Sequence, residues 1–323
     1  MKSLLLTAAV AALAFTGCAT EDTPVGPEDL AVKFSTEISS VTRTAPTIKK
    51  NFEDGDKFSV TATSGLGAAM QTSWMDGIVL SKTGSAWSSL GDTYYFKKGY
   101  KYSFSAYSPT ETALTMTAPE AVPYTVSTTL ADQKDLLYAS ASKDFTKADE
   151  TAVVSLGFQH ALAQVRFTAK TTEDYSAYYT VTLKTIELQE INSKGNLKFS
   201  DGTWTSLTTP VSYSITYDKV LTATEVEMTN ASNDVLMLIP QNPQDKSMVI
   251  TLDVAAVENM GDSNLNGNKT VTLTVPATAW LSGYAYTYDI TLNLDSTLGI
   301  VPSITDPTIS EWKDGGKIPV NNK

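Results

Sequence analysis

Apolar residues recur at every second position in run after run of this chain, and no long segment shows the 3.6-residue apolar period of an amphipathic helix. The series opens with Val32-Phe34-Thr36-Ile38, interleaved with Lys33, Ser35 and Glu37, and its longest clean run is Tyr286-Tyr288-Ile290-Leu292-Leu294. Successive strand side chains point to opposite faces, so each run predicts a strand with one buried and one wet face. Phe58-Val60-Ala62, Tyr100-Tyr102-Phe104-Ala106, Ala152-Val154-Leu156-Phe158 and Val165-Phe167-Ala169 repeat the pattern between turn-rich stretches. Many short strands with polar turns predict an all-β fold of the sandwich type. In the second half, Val181-Leu183, Ile186-Leu188 and Leu197-Phe199 read as separate strands. Gly195-Asn196 and Asp201-Gly202 read as hairpin turns, because both pairs tolerate positive φ. Pro302, Pro307 and Pro319 predict an extended, poorly paired tail.

The N-terminus fixes the compartment. Met1 to Cys18 joins a positive Lys2, an uncharged apolar run from Leu4 to Phe15 and the small pair Thr16-Gly17. Those twelve apolar residues are too few to span a bilayer, which needs about 20. Cys18 is the only cysteine. The stretch resembles the lipobox of a bacterial lipoprotein, which implies a signal peptide over 1–17 and a lipid on Cys18 that anchors the chain to the outer membrane. Ordinary secretion with an incidental cysteine is the competing reading. No cysteine is left for a disulfide, so stability has to come from burial.

Removal of the signal leaves residues 18–323, that is 323 minus 17 or 306 residues, enough for two domains. The expected division is a tether over 18–30, one β-sandwich domain over 31–160, a second over 161–299 and the tail over 300–323. Without Lys2 the charge is 23 minus 35, or −12. So acidic a surface makes nucleic acid a poor partner.

The inventory for chemistry is thin. His160 is the only histidine and continues the phase of Ala152-Val154-Leu156-Phe158, which predicts a packed, hydrogen-bonded side chain with no Gly-x-Ser-x-Gly elbow beside it. Cysteine nucleophiles and Cys/His zinc sites are excluded by count, no phosphate loop is present, and no carboxylate pair is marked out for glycoside cleavage. Asp262 to Gly267 matches the start of a calcium loop, yet its twelfth position is Leu273 where a bidentate Glu is required, so a polar hairpin loop is the better reading. Trp74, Trp87, Trp204, Trp280 and Trp312 suit core or sheet-edge packing better than a sugar-stacking platform. No metal, no cofactor and no enzymatic activity are expected.

Several short motifs fall in a telling order: the lipobox, a strand followed by Thr42-Arg43-Thr44, Gly55-Asp56-Lys57-Phe58, Asp135-Leu136-Leu137-Tyr138-Ala139, Leu156-Gly157-Phe158-Gln159-His160-Ala161-Leu162, Leu238-Ile239-Pro240-Gln241 and Gly283-Tyr284-Ala285-Tyr286-Thr287-Tyr288. Together they resemble the Bacteroidetes fimbrillin family, the type V pilins, over nearly the whole chain. The resemblance implies two tandem transthyretin-like β-sandwich domains, export as a lipoprotein, and assembly with other fimbrial subunits on the cell surface. It also implies that an arginine-specific protease cuts after Arg43, leaving Thr44 as the new N-terminus. The strand Val32, Phe34, Thr36 and Ile38 is then released, and a strand from a neighbouring subunit fills the groove. Residues 300–320 depart from the pattern of a donor strand, with three prolines and the Asp314-Gly315-Gly316 break. This keeps open a tip or accessory subunit, and a lipid-anchored adhesin or glycan-binding lipoprotein with a host or bacterial surface ligand.

Overall fold

A computed structural model describes residues 30–38, 51–66, 72–89, 91–112, 121–145, 151–228, 235–258, 260–262 and 264–311. The chain is all-β. Its first strands are β1 (Lys33–Ile38), β2 (Lys57–Leu66), β3 (Thr72–Thr83), β4 (Ala86–Ser89), β5 (Tyr100–Ser108), β6 (Ala121–Thr125), β7 (Leu137–Asp144) and β8 (Val153–His160). There follow β9 (Ala163–Thr171), β10 (Tyr179–Lys198), β11 (Trp204–Leu221), β12 (Val226–Glu227), β13 (Leu236–Leu238) and β14 (Ser247–Ala256). The last are β15 (Gly267–Thr274), β16 (Tyr284–Asp295), β17 (Gly299–Ile304) and β18 (Thr308–Glu311).

Seven strands form one sheet in the order β1-β8-β7-β5-β2-β3-β4. Its inward residues make a core rich in aromatics, because the alternating positions read from the sequence all turn to one side. In β8, for example, Val154, Leu156, Phe158 and His160 are buried while Val153, Ser155, Gly157 and Gln159 are exposed. The sheet curls until its two edges meet, with β1 against β4. Phe58 stacks edge-on against Trp87 with ring centroids 4.5 Å apart, and Phe52 against Phe158 at 5.0 Å.

The remaining strands form two sheets that share a second core. One holds β11-β10-β14-β15 with β6 on β10, and the other β12-β9-β16-β17 with β13 on β9 and β18 on β16. Ile186, Tyr213, Ile250 and Leu252 of the first face Val165, Phe167, Tyr288 and Ile290 of the second in one buried cluster, so this half is a β-sandwich. Segment 121–136 adds Val122, Tyr124, Val126 and Leu136 to this second core, although it precedes residue 160 in the chain.

Three expectations about the second half are corrected. Gly195-Asn196 is not a turn: it lies inside β10, whose twenty residues fuse the three runs read as separate strands. Gly195 is there for space, since a Cβ would sit 2.8 Å from Leu207 Cδ2. The turn is at Asp201-Gly202, where Gly202 has φ 71°. The tail is not poorly paired up to Glu311. Residues 299–304 and 308–311 both pair with β16, and Pro302, opposite Leu292, is tolerated on a sheet edge.

Candidate functional site

The first strand is where sequence and structure converge. Lys33, Ser35 and Glu37 are exposed, Phe34 and Ile38 are buried, and Val32 and Thr36 are half-buried, as the alternation requires. Phe34 inserts edge-on between Phe58 and Phe104, with centroids 5.7 and 5.9 Å away. The Trp87 indole N–H donates to Thr36 Oγ1 at 3.1 Å, tying the centre of β1 to β4. On the wet face Ser35 Oγ donates to Ser155 Oγ at 3.0 Å.

Its backbone is held on one side. β1 runs parallel to β8 in register from Lys33↔Val153 to Ile38↔Phe158. β8 meets β7 only at Gln159 and His160, so among the described residues Val153–Phe158 has β1 as its sole ladder partner. The chain entering β1 is pinned by the Val32 amide donating to the Tyr94 carbonyl and by the Phe96 amide donating to the Leu30 carbonyl, both at 2.9 Å. Beside the strand a groove of about 230 Å³ is lined by Val32 and Phe34, by Met75, Ile78 and Leu80 of β3, and by Trp87. Asp92 and Tyr94 give it a polar rim.

The arrangement is one of side-chain packing and backbone pairing. It holds an edge strand by alternating sockets and one line of backbone hydrogen bonds, the form in which one extended segment can be exchanged for another. Sequence reasoning found the strand but not its groove. Residues 72–89 were not singled out as strands, and no local signal encodes a parallel pairing across the 119 intervening positions from Lys33 to Val153.

The other expected site residues fall as follows. Cys18, Arg43 and Thr44 lie outside the described residues, as does Trp312. β1 ends at Ile38 and the described chain resumes at Asn51, so Arg43 belongs to the connection between β1 and the turn before β2. His160 is buried with Nδ1 2.9 Å from the Asp135 carboxylate. This contact joins the end of β8 to the segment entering β7, the structural role expected of the chain's one histidine. At the loop after β14, Asp262 Oδ1 accepts from the Asn264 amide and Asn266 Oδ1 from the Ala256 amide. These are the bonds of a hairpin loop, and no group of three His, Cys, Asp or Glu side chains placed to hold a metal occurs among the described residues. Trp280 is buried and donates to the Tyr288 hydroxyl at 3.0 Å, Trp204 donates to the Ala161 carbonyl at 2.8 Å, and Trp74 and Trp87 pack on the first core. Burial pushes several tyrosine hydroxyls up: Tyr124 to about 12, helped by the Asp135 carboxylate, and Tyr286 to about 12.

A family model described as fimbrillin-like matches residues 42–312. The chain matches no curated protein. Among solved structures it is similar to a fimbrial protein from Bacteroides vulgatus, with a TM-score of 0.57 and 15% identity over 87% of this chain and 99% of that one. It is also similar to two structures titled "putative cell adhesion protein", each at 18% identity. The one from Bacteroides ovatus has a TM-score of 0.53, covering 87% of this chain and 97% of that one. The one from Bacteroides uniformis has a TM-score of 0.52, covering 88% and 98%. At these identities the likeness is one of fold.

Proposed function

The chain belongs to the fimbrillin-like family, and from that premise we propose that it is a fimbrial subunit delivered as a lipoprotein on Cys18, cut after Arg43 and joined to its neighbours by strand exchange at β1. In this reading the chain holds two transthyretin-like domains, 31–160 without segment 121–136 and 161–299 with that segment and the strands over 299–311 added to it. The lipid tether and β1 are a temporary assembly, held until an arginine-specific protease opens the connection to Thr44. The protein works at the cell surface, with other fimbrial subunits as its partners.

The observation that carries the reading is the one-sided attachment of β1. All of its ladder bonds go to Val153–Phe158, and its apolar side chains fill sockets that open on a groove. Loss of the strand would leave an unpaired edge beside empty apolar sockets, an unstable surface in water and a ready template for another strand.

Treating the purified chain with an arginine-specific protease should give a new N-terminus at Thr44 and higher oligomers. Cells carrying Arg43→Ala should retain the lipid-blocked N-terminus and lose the oligomers. Equal assembly by Arg43→Ala and wild type would overturn the proposal.

A second reading is favoured by the tail. Residues 299–304 and 308–311 are already paired along β16, so among the described residues this part of the chain is not free to be donated. That suits a tip or accessory subunit, which accepts a strand and gives none, or an anchored adhesin that binds a surface ligand.

A further inference from the structure

On the outward face of the first sheet, β7 and β8 meet the turn between β10 and β11, and a cleft of about 210 Å³ lies between them. Tyr138 and Ser140 of β7 and Gly157 and Gln159 of β8 form one side, and Ser200 and Asp201 of the turn form the other. Gly157 is the residue there that the fold does not explain. Its φ is not in the left-handed region, and the atom nearest to a Cβ built on it is Glu37 Oε1 at 3.7 Å, an ordinary contact with the end of an exposed side chain. Gly195 and Gly202, by contrast, are crowded by close neighbours. Glycine weakens a strand, and where neither backbone nor packing demands it, it marks a place where something else comes close to the chain. A side chain at 157 would stand in the cleft.

The polar groups around that opening are held in place. The Tyr138 hydroxyl donates to Gln159 Oε1 at 2.9 Å and is wedged against Gly202, where a Cβ would lie 1.9 Å from it. The Gln159 amide is thereby oriented through its oxygen, with its two N–H groups left to donate. Asp201 Oδ1 accepts from the Thr203 amide at 3.0 Å and from the Thr203 hydroxyl at 2.6 Å, and Oδ2 accepts from the Lys198 ammonium at 2.9 Å. A carboxylate has about four acceptor positions, so one remains, on Oδ2. Ser140 and Ser200 are exposed, and each hydroxyl can donate or accept.

Such a lining selects its ligand. A cation finds a carboxylate whose charge Lys198 already balances. An anion meets Asp201, held down at about 2 by Thr203 and then Lys198 and so ionised at neutral pH. An apolar ligand would strip water from Gln159, Asp201 and both serines without replacing their hydrogen bonds. A sugar ring does replace them, because each of its hydroxyls both donates and accepts. We propose that the cleft binds a neutral saccharide, one ring of a surface glycan seated over Gly157 with its hydroxyls on Gln159, Asp201, Ser140 and Ser200. It rests on the adhesin reading only in placing that glycan on a surface, and it stands whether or not Arg43 is cut. One ring buries little area, so each site is weak and many copies side by side supply the avidity.

The test is an NMR titration of the full chain with the methyl glycosides of glucose, galactose, mannose, N-acetylglucosamine and N-acetylgalactosamine, and with that of sialic acid as the acidic member. At least one neutral glycoside should bind with a Kd below about 10 mM, and the sialoside at least roughly tenfold more weakly. Gly157→Val should weaken the neutral glycoside at least roughly tenfold yet melt at or above the parent, since valine is the better strand residue. Gln159→Ala, which adds no bulk, should weaken it at least roughly fivefold. Ser142→Ala, farther along the same face of β7, should leave it unchanged. No binding by any neutral glycoside, a sialoside bound as tightly, or full binding by Gly157→Val or Gln159→Ala would overturn the proposal and leave the Arg43 reading standing. A melting temperature lowered by the valine would overturn it too, by showing that the fold itself needs the glycine. Glycoside binding by a chain that cannot hold cells to a glycan-coated surface would overturn the adhesin reading and leave the cleft a saccharide site.

Discussion

Replacing Phe34 by Ala tests whether β1 is a separately releasable strand. The ring is 7% exposed and lies edge-on to Phe58 and Phe104, so truncation removes its apolar burial and leaves a cavity in a core that can relax only partly. Buried Phe→Ala changes cost about 3–5 kcal/mol. Folded domains have about 5–15 kcal/mol in all, so the variant should still fold. If β1 opens alone, the whole loss falls on its opening equilibrium. At about 1.4 kcal/mol per tenfold, the amides that open with β1 should exchange roughly two to three and a half orders of magnitude faster.

Native-state hydrogen exchange followed residue by residue is the assay. The amides that bond across the β1–β8 ladder, between Lys33–Ile38 and Val153–Phe158, should accelerate together, because neither segment has another ladder partner among the described residues. Amides of β2 and β5, paired with each other deep in the same sheet, should change far less. Ser35→Ala, which removes only an exposed hydroxyl contact, should shift exchange by less than about fivefold. Equal acceleration of β1, β2 and β5 would mean that β1 leaves only on global unfolding. That result would refute the reasoning on which strand release depends.

Four further outcomes follow from single contacts. Thr36→Val keeps the shape of the side chain but strands the Trp87 indole N–H, and should cost about 1–3 kcal/mol in denaturant unfolding. Gly202→Ala would place a Cβ 1.9 Å from the Tyr138 hydroxyl at a φ of 71°, so a loss of about 2–4 kcal/mol is expected by thermal melting. His160→Ala leaves the buried Asp135 carboxylate without its imidazole and should cost about 3 kcal/mol by the same melt. Asp201 is lowered from 3.8 to about 2, chiefly by Thr203 and then Lys198. A depressed folded value stabilises above the unfolded one, so the contribution should be present above about pH 4 and vanish as pH falls through about 2. Asp201→Asn should flatten that acid limb of the melting temperature.

Elements whose buried face alternates strictly were legible in the sequence, and β8 and β16 are the clearest cases. β1 was legible for the same reason, down to the buried Phe34 and Ile38. What was not legible depends on partners distant in the chain. β6 sits on β10 because Val122 and Tyr124 reach the second core, although its own five residues carry no sign of that neighbour. Gly195-Asn196 has the chemistry of a turn, and tertiary packing overrides it: Leu207 and Trp204 crowd the glycine, which serves close approach instead of reversal. The prolines of the tail suggested an unpaired segment, yet the edge of β16 offers places where a missing amide is harmless. The groove beside β1 is a product of the sheet curling until β1 meets β4, a property of the whole seven-stranded sheet and of no single segment.

The curl also constrains any strand that replaces β1. A replacement must pair with Val153–Phe158, and it must fill the Phe34 and Ile38 sockets four residues apart on one face. Between them it meets the Trp87 indole N–H, now bonded to Thr36. A purely aliphatic strand would leave that donor unpaired, at about 1–3 kcal/mol, and a charged residue there would be costly to desolvate. The best replacement therefore carries a large apolar residue, then a hydroxyl or other small acceptor two positions on, then a second apolar residue. The incoming strand is also free of the parallel direction that the chain imposes on β1. An antiparallel ladder against β8 is slightly more stable per residue. Exchange in the opposite direction would therefore give the incoming strand an advantage over β1 even with equal sockets, which offsets part of the cost of bringing in a separate chain.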